Sequence, residues 1–538
     1  MSLRNLVRNS ARGRSFAISD EQRLDRFLIL GVAGGSCYAS ERQLTAESAD
    51  VVRRLLHKNG PRTVQRIVEV SEKGLAPKND QAVFALAMAL KLGDEKTRRL
   101  AAQSVPRVCR IGTHVFQLAE AVQAFGGWGR VTARAFARVY EQRAVDELAL
   151  DMLKYRQRNG WSHKDVLAKS HARADDDDDA RAALFSYVAR DGDLSAREVM
   201  REKNGKVFSQ GSYPARVSAA LPRIVEGFEK IQAEKLSPAD AASTIVEYGL
   251  PREMVPTEQL ASADVWHALL HAGKHGMPLG ALVRNLGKMT STGLLSIGSD
   301  AARFVVEKLA DARAIEKARL HPMSLLIAQR VYASGHGDKG KLAWHPVASI
   351  VDALDRAFYL AFRAVTATHK RHLLALDVSG SMASGRVAGS PLSPREASAA
   401  MALVTANVED NTAFTAFTDK LVSLDLSARM SLRDAVAKVS GLRFGATDCA
   451  QPMLYALEKK LNVDVFVVYT DAETWAGKVK PHDALTRYRE ATGINAKLVV
   501  VGMVSNGFSI ADPNDAGMLD VVGFSTETPQ ALAAFVNE

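Results

Sequence analysis

Five oxygen-bearing residues in the carboxyl third of the chain have the types and spacing to hold a hard divalent cation. Asp377, Ser379 and Ser381 occupy alternate positions of Asp377-Val378-Ser379-Gly380-Ser381, so one carboxylate and two neutral hydroxyls meet in a turning loop. Hard oxygen donors of this kind suit magnesium better than zinc. Three ligands underfill an octahedron, so other loops or water must complete it. Thr447, in Gly445-Ala446-Thr447-Asp448, and Asp471, at the end of Val465-Phe466-Val467-Val468-Tyr469-Thr470, are the further candidates.

The elements that must position these residues are legible around them. The apolar run 372–376 ends in Asp377, two hydroxyls and a glycine, which reads as a buried strand opening into a polar loop. Open α/β sheets bind ligands at such carboxyl ends. Ser393-Pro394-Arg395-Glu396 then supplies an N-cap, a proline at the first helical position and an acid three residues after the cap, so a helix begins there. Apolar runs at 372–376, 412–417, 465–469, 497–503 and 521–524 alternate with helical stretches at 394–407, 450–460, 482–491 and 529–536. That order predicts a doubly wound α/β domain.

A second constellation lies far upstream, in Lys154-Tyr155-Arg156-Gln157-Arg158-Asn159-Gly160-Trp161-Ser162-His163-Lys164-Asp165, followed by Lys169-Ser170-His171. The spacing of Lys154 and Arg158 predicts one helix face carrying both. Asn159-Gly160 is read as the end of that helix, and Ser162 to Asp165 as the cap of the next. Cations beside Tyr, Trp and His suit phosphates and unstacked bases, as in single-stranded RNA readers. The bland alternative is a solvated helix turn with Trp161 in the core. His163 and His171 have no carboxylate or nucleophile spaced to pair with them, so RNA contact or helix capping is preferred to acid-base work.

Charge separates the two regions. Residues 371–538 carry 15 Lys and Arg against 19 Asp and Glu, a net of −4; out of 70 and 60 in all, 55 against 41 remain in residues 1–370, a net of +14. A positive surface there favours a polyanion through counterion release. Residues 16 to about 365 read as helix after helix, with Gly and Pro recurring between amphipathic stretches, as at Gly60-Pro61, Gly126-Gly127 and Leu250-Pro251. Stacked antiparallel helices, an α-solenoid, are the expected architecture. Ser195-Ala196-Arg197-Glu198 and Ser237-Pro238-Ala239-Asp240 are read as helix starts. Three widely spaced cysteines suggest neither a disulfide framework nor a zinc cluster. The basic, polar amino end and the lack of about 18 consecutive apolar residues predict a cytoplasmic protein without membrane spans.

Asp377, Ser379, Ser381, Thr447 and Asp471, in that order, resemble the metal-ion-dependent adhesion site of von Willebrand factor A domains. The resemblance then widens. The segment 154–165, Arg26-Phe27-Leu28-Ile29-Leu30-Gly31, Gly126-Gly127-Trp128-Gly129-Arg130, Leu282 to Met289 and Arg319-Leu320-His321-Pro322 look like the TROVE module of Ro autoantigen proteins. So do Gly445 to Cys449, Tyr469 to Thr474 and Asn506 to Pro513 in the carboxyl part. This resemblance implies a multidomain chain: a tail over 1–15, an all-α HEAT-like helical-repeat ring over 16–365, and a Rossmann-like von Willebrand factor A domain over 366–538.

It also implies a bacterial- or phage-type member that acts as a monomeric ring in RNA quality control. Small noncoding Y RNAs would bind the outer surface, and single-stranded ends of misfolded RNAs would enter the central hole. Lys154, Arg158 and His171 match family positions that contact RNA near the hole; Arg156 stands where Lys is common, and Lys164 adds a further cation. In bacterial relatives the ring cooperates with the exonuclease polynucleotide phosphorylase. The metal, expected to be magnesium, would keep a position open for an acidic protein ligand.

Other chemistries fit less well. Gly335 to Lys341 nearly spells a phosphate-binding loop, but Leu342 replaces the required hydroxyl and the preceding residues read as helix. The acidic run 175–179 lacks the glycine and spaced ligands of a calcium loop. A metal-dependent phosphoesterase at Asp377 would need a general base or second metal that the sequence does not offer. The reading is therefore a non-catalytic RNA-binding scaffold, with a metal-dependent protein-interaction scaffold as its rival.

Overall fold

The computed structural model describes residues 6–8, 14–16, 19–30, 36–38, 49–76, 78–192, 199–203, 206–210, 221–233, 236–273, 276–337, 340–383, 386–387, 390–418, 420–427, 429–442, 447–470, 477–503, 510–512, 515–522 and 528–537. The chain forms two compact units: Val52–Gly74 with Lys78–Met277, and Met1–Val51 with Leu75–Pro77 and Pro278–Glu538.

The first unit is a succession of short helices that pack on the next helix or the one after it, as Glu95–Val108 does on both Asp80–Leu92 and Arg130–Gln142. Its punctuation is chemical. The helical segment Asp50–Lys73 breaks at Asn59, whose φ of −156° is not helical, just before Gly60-Pro61. Asn59 restarts the helix: its Oδ1 accepts the Arg62 N–H and its backbone carbonyl accepts the Thr63 hydroxyl. Ser237 caps Pro238–Tyr248 by accepting the Asp240 N–H at 3.1 Å, as the sequence predicts. Asp80–Leu92 is buried over Ala82, Val83 and the whole run Ala85 to Leu90, and helices Glu95–Val108 and Gly112–Ala124 pack against it. The capping box read at Ser195 to Glu198 lies outside the described residues.

Residues 16–365 are helix after helix as read, but short strands that the sequence did not suggest interrupt them among the described residues, beginning with Arg14–Phe16 at the start of the range. Ser36–Tyr38 is a strand, Gln157–Arg158 pairs with Trp161–Ser162, and Val199–Lys203 pairs with Lys206–Gln210. Ser36–Tyr38 and the two-residue strands of the 157–162 hairpin are too short to display a period of two.

The second unit holds a seven-stranded sheet in the order Leu421–Ser423, Asn411–Phe417, Arg371–Asp377, Val465–Thr470, Lys497–Gly502, Met518–Val522, Ser36–Tyr38. Only the first pair is antiparallel. Helices cover the sheet, so its central strands are apolar on both faces. Leu373, Ala375, Phe466, Val468, Leu498 and Val500 pack with Met453, Leu485 and Tyr488 in one core cluster. After Arg371–Asp377 the chain adds Asn411–Phe417 on one side and then Val465–Thr470 on the other. The direction of winding therefore reverses between Asp377 and Thr470, the place where doubly wound sheets bind ligands.

Residues near the amino end complete this unit. Ser36–Tyr38 adds a parallel edge strand to Met518–Val522. Helix Asp20–Leu30 contacts helix Thr528–Asn537. Its Arg26 is wholly buried, donates from Nη2 to the Ala516 carbonyl and lies 5.2 Å from the Phe535 ring centre.

Candidate metal centre and nucleic-acid interface

Asp377 ends its strand wholly buried. Its Oδ1 accepts the Ser379 N–H at 2.8 Å and its Oδ2 accepts the Thr470 hydroxyl at 2.8 Å, from the end of the neighbouring strand. The first bond turns the loop. The 3-10 turn Gly380–Ala383 then lifts Ser381 to the surface, with its Oγ 3.1 Å from that of Ser379. A buried carboxylate, a buried hydroxyl and an exposed hydroxyl thus run outward from the sheet.

Thr447 is buried at the same end of the sheet. The Asp448 N–H donates to the Thr418 carbonyl at 3.0 Å, and Phe417 is the partner of Asp377 in the adjoining strand. The Asp448 carboxylate is occupied locally, by Ala450 N–H and the Gln451 amide. Asp471 lies outside the described residues; it follows Thr470 directly. Among the described residues no cluster of three His, Cys, Asp or Glu side chains exists. One carboxylate with two hydroxyls 3.1 Å apart fits a hard, oxygen-seeking cation and offers no soft ligand.

Two residues that shape this cradle escaped the sequence reading. Thr470 steadies Asp377, and its strand-end position was its only signal. Arg395, on the helix that Ser393 caps, is buried and donates to the Ser379 carbonyl at 3.2 Å. Burial lowers the pKa of its guanidinium, and the nearby Asp377 carboxylate opposes that shift. A fixed cation therefore stands beside the carboxylate. Glu396 bonds with Arg330, through Nε at 2.8 Å and Nη2 at 2.6 Å.

The upstream constellation is arranged differently from the helix face that the spacing suggested. Helix Val145–Lys154 stops at Lys154, and Asn159-Gly160 is the turn of a two-residue hairpin with φ of 54° and 73°. Positive φ at both central residues is the pattern of a type I′ turn. Lys154 and Arg158 thus sit on different elements. Lys154 is half-buried, 3.9 Å from the Glu253 carboxylate. Arg156 is exposed over the Phe228 ring. Arg158 is exposed, with no carboxylate partner among the described residues. Lys164 is exposed and paired with Asp191 at 2.5 Å. His171 is the exposed C-cap of helix His163–Ser170, at φ 53°.

The capping box of Ser162 and Asp165 forms as expected. His163 does not take the role anticipated for it. It is 2% exposed, its Nδ1 meets the Tyr140 hydroxyl at 2.9 Å, and burial pulls its pKa down to about 3. It is a neutral core residue, neither an RNA contact nor a cap.

A helical array joined to a doubly wound domain with a carboxylate-hydroxyl cradle at its switch point defines a two-module class of protein. The TROVE domain model matches residues 7–241 and 246–330, and the Ro60 vWA domain model matches residues 371–536. The chain belongs to the TROVE-domain Ro family. It is 41% identical over 532 residues to a Deinococcus radiodurans protein named RNA-binding protein RO60, covering 98% of this chain and 95% of that one. A Caenorhabditis elegans protein of the same name is 35% identical over 588 residues, covering 98% and 90%. The crystal structure of the Deinococcus radiodurans RO (RSR) protein superposes with a TM-score of 0.85 at 40% identity, covering 96% of this chain and 99% of that one. Among the described residues no helix is long and apolar enough to cross a membrane.

Proposed function

We propose that this chain is a non-catalytic RNA-binding protein whose cations around the 157–162 hairpin hold the phosphates of single-stranded RNA. The observation that carries the reading is Arg158, exposed on a tight turn without a carboxylate partner among the described residues. It stands in a region whose net charge is +14. Arg156, two residues before it, and His171, at the end of the following helix, are also exposed, whereas Lys154 and Lys164 already have acidic neighbours. Two relatives aligned along nearly the whole chain are named as RNA-binding proteins, which supports the same reading.

Within it, the helical modules make a monomeric ring in the cytoplasm that binds Y RNA outside and the single-stranded end of misfolded RNA in its central hole. Polynucleotide phosphorylase or another exonuclease receives the RNA. Magnesium, held by Asp377, Ser379, Ser381, Thr447 and Asp471, supplies a positive anchor for an acidic protein ligand. The exposed Ser381 beside buried Asp377 is what favours the second reading, a metal-dependent interaction scaffold.

Filter binding of a single-stranded RNA to nuclease-free protein tests the proposal. Affinity falls steeply with salt and drops again in Lys154→Ala/Arg158→Ala. Absence of binding at low salt would leave the interaction scaffold. RNA breakdown that disappears in Asp377→Ala would instead indicate a phosphoesterase.

A further inference from the structure

The five tryptophans fall into two kinds where the structure describes them. Trp266 is wholly buried and donates to the Leu260 carbonyl at 2.8 Å; Trp344 donates to the Tyr332 carbonyl at 2.9 Å. Trp128 and Trp161 are partly exposed, and the buried Trp128 indole N–H has no acceptor among the described residues. Ring packing, rather than a hydrogen bond to the backbone as at Trp266 and Trp344, positions Trp128 and Trp161. Trp128 lies 4.5 Å from the buried Phe136 ring at 31°, and Trp161 lies 5.7 Å from Trp128 at 38°. A run of rings therefore leads from the core to the surface.

We propose that Trp128 and Trp161 form a stacking shelf for the bases of a single-stranded nucleic acid, flanked by Arg158 and Lys169 as phosphate contacts. This rests on the RNA-binding reading and adds bases to the backbone as something the site holds. Arg158 is directly opposite Trp161 across the hairpin, so the two side chains leave on one face. The Lys169 ammonium stands 6.0 Å from the Trp128 ring centre and 5.9 Å from that of Trp161. The backbone beside the rings is open: a Cβ added at Gly126, Gly129 or Gly160 would meet nothing within 4 Å beyond the adjoining residues. The adjacent carboxylates are engaged, Glu120 by the Asn159 amide at 2.7 Å and Asp165 by Ser162. Planar rings flanked by exposed cations suit successive bases and their phosphates, with little dependence on sequence.

The test uses the full chain, with a twelve-nucleotide oligoadenylate as the base-bearing probe and inorganic polyphosphate as the charge-only probe. Oligoadenylate quenches tryptophan emission, and polyphosphate does not. Trp161→Leu weakens oligoadenylate about tenfold, leaving polyphosphate affinity and the salt dependence unchanged. Trp161→Phe, which keeps a ring, retains most of the affinity. Unchanged oligoadenylate binding in Trp161→Leu without quenching in the native protein overturns the shelf and leaves the RNA reading standing. Equal losses in the Leu and Phe variants also overturn the shelf. Failure of the native protein to bind oligoadenylate at low salt overturns both.

Discussion

Asp377 is wholly buried, yet it sits one loop away from a solvent-exposed hydroxyl at Ser381. A cation bound there would stabilise the folded chain by mass action, about 2.7 kcal/mol at a hundredfold excess over its dissociation constant. Magnesium is thus expected to raise the melting temperature of the unit holding Asp377 by roughly 3–5 °C, and Asp377→Ala to remove the response; superimposable melting curves with and without magnesium would contradict the site. The three-residue spacing was legible in sequence because a strand end followed by alternating hydroxyls is a local pattern. Thr470 and Arg395 were not, because only the parallel pairing of distant strands and the packing of helix Pro394–Val408 bring them to Asp377.

His163 makes the opposite lesson: its sequence neighbours suggested a surface role, and the Tyr140 ring behind it is invisible without the fold. Its pKa falls from 6.5 to about 3. The unfolded chain therefore binds more protons than the folded one between those values. Stability is fully present above pH 6.5 and declines as pH falls, by about 1.4 kcal/mol per unit for this residue. Urea midpoints measured from pH 7 to 5 should drop, and His163→Phe should flatten the slope; an unchanged slope would show that His163 does not titrate as its burial requires.

At the scale of elements, the error over residues 154–162 has a physical cause. Lys154 and Arg158 satisfy helical spacing, but Asn159-Gly160 between extended residues is also the strongest short-range hairpin signal. Helix Val145–Lys154 ends early and the hairpin redirects Arg158 to sit opposite Trp161. The turn, then, is what presents the cation. Gly160 has φ 73° and open space around it, so Gly160→Val strains only the backbone, at about 1–2 kcal/mol. RNA affinity should fall several-fold while global melting shifts little. Full affinity in that variant would mean that hairpin geometry is irrelevant to binding. The doubly wound order was far easier to read, since its strands are buried on both faces and stand out as apolar runs.

For the whole molecule, the least legible feature is that residues 20–38 belong to the same unit as residues 371–522. A three-residue edge strand and one helix carry no sequence mark of so distant a partner. Arg26 ties them: Arg26→Ala removes a charged hydrogen bond to Ala516 and a buried contact with Phe535, at a cost of about 1.5–3 kcal/mol. Limited proteolysis should then cut within residues 371–538 faster than in the native chain, and equal rates would separate the amino-terminal helix from the stability of that domain.

The charge asymmetry, +14 over residues 1–370 against −4 over 371–538, was read directly from composition and underlies the central claim. That claim is that exposed cations near the hairpin hold RNA phosphates. Its most direct test is the slope of log affinity against log salt for a single-stranded RNA, in the native chain and in Arg156→Ala/Arg158→Ala/Lys169→Ala, all three exposed. Three lost phosphate contacts should make the slope shallower by about 2 and weaken binding at every salt concentration. A triple variant with the native slope and affinity would contradict the account.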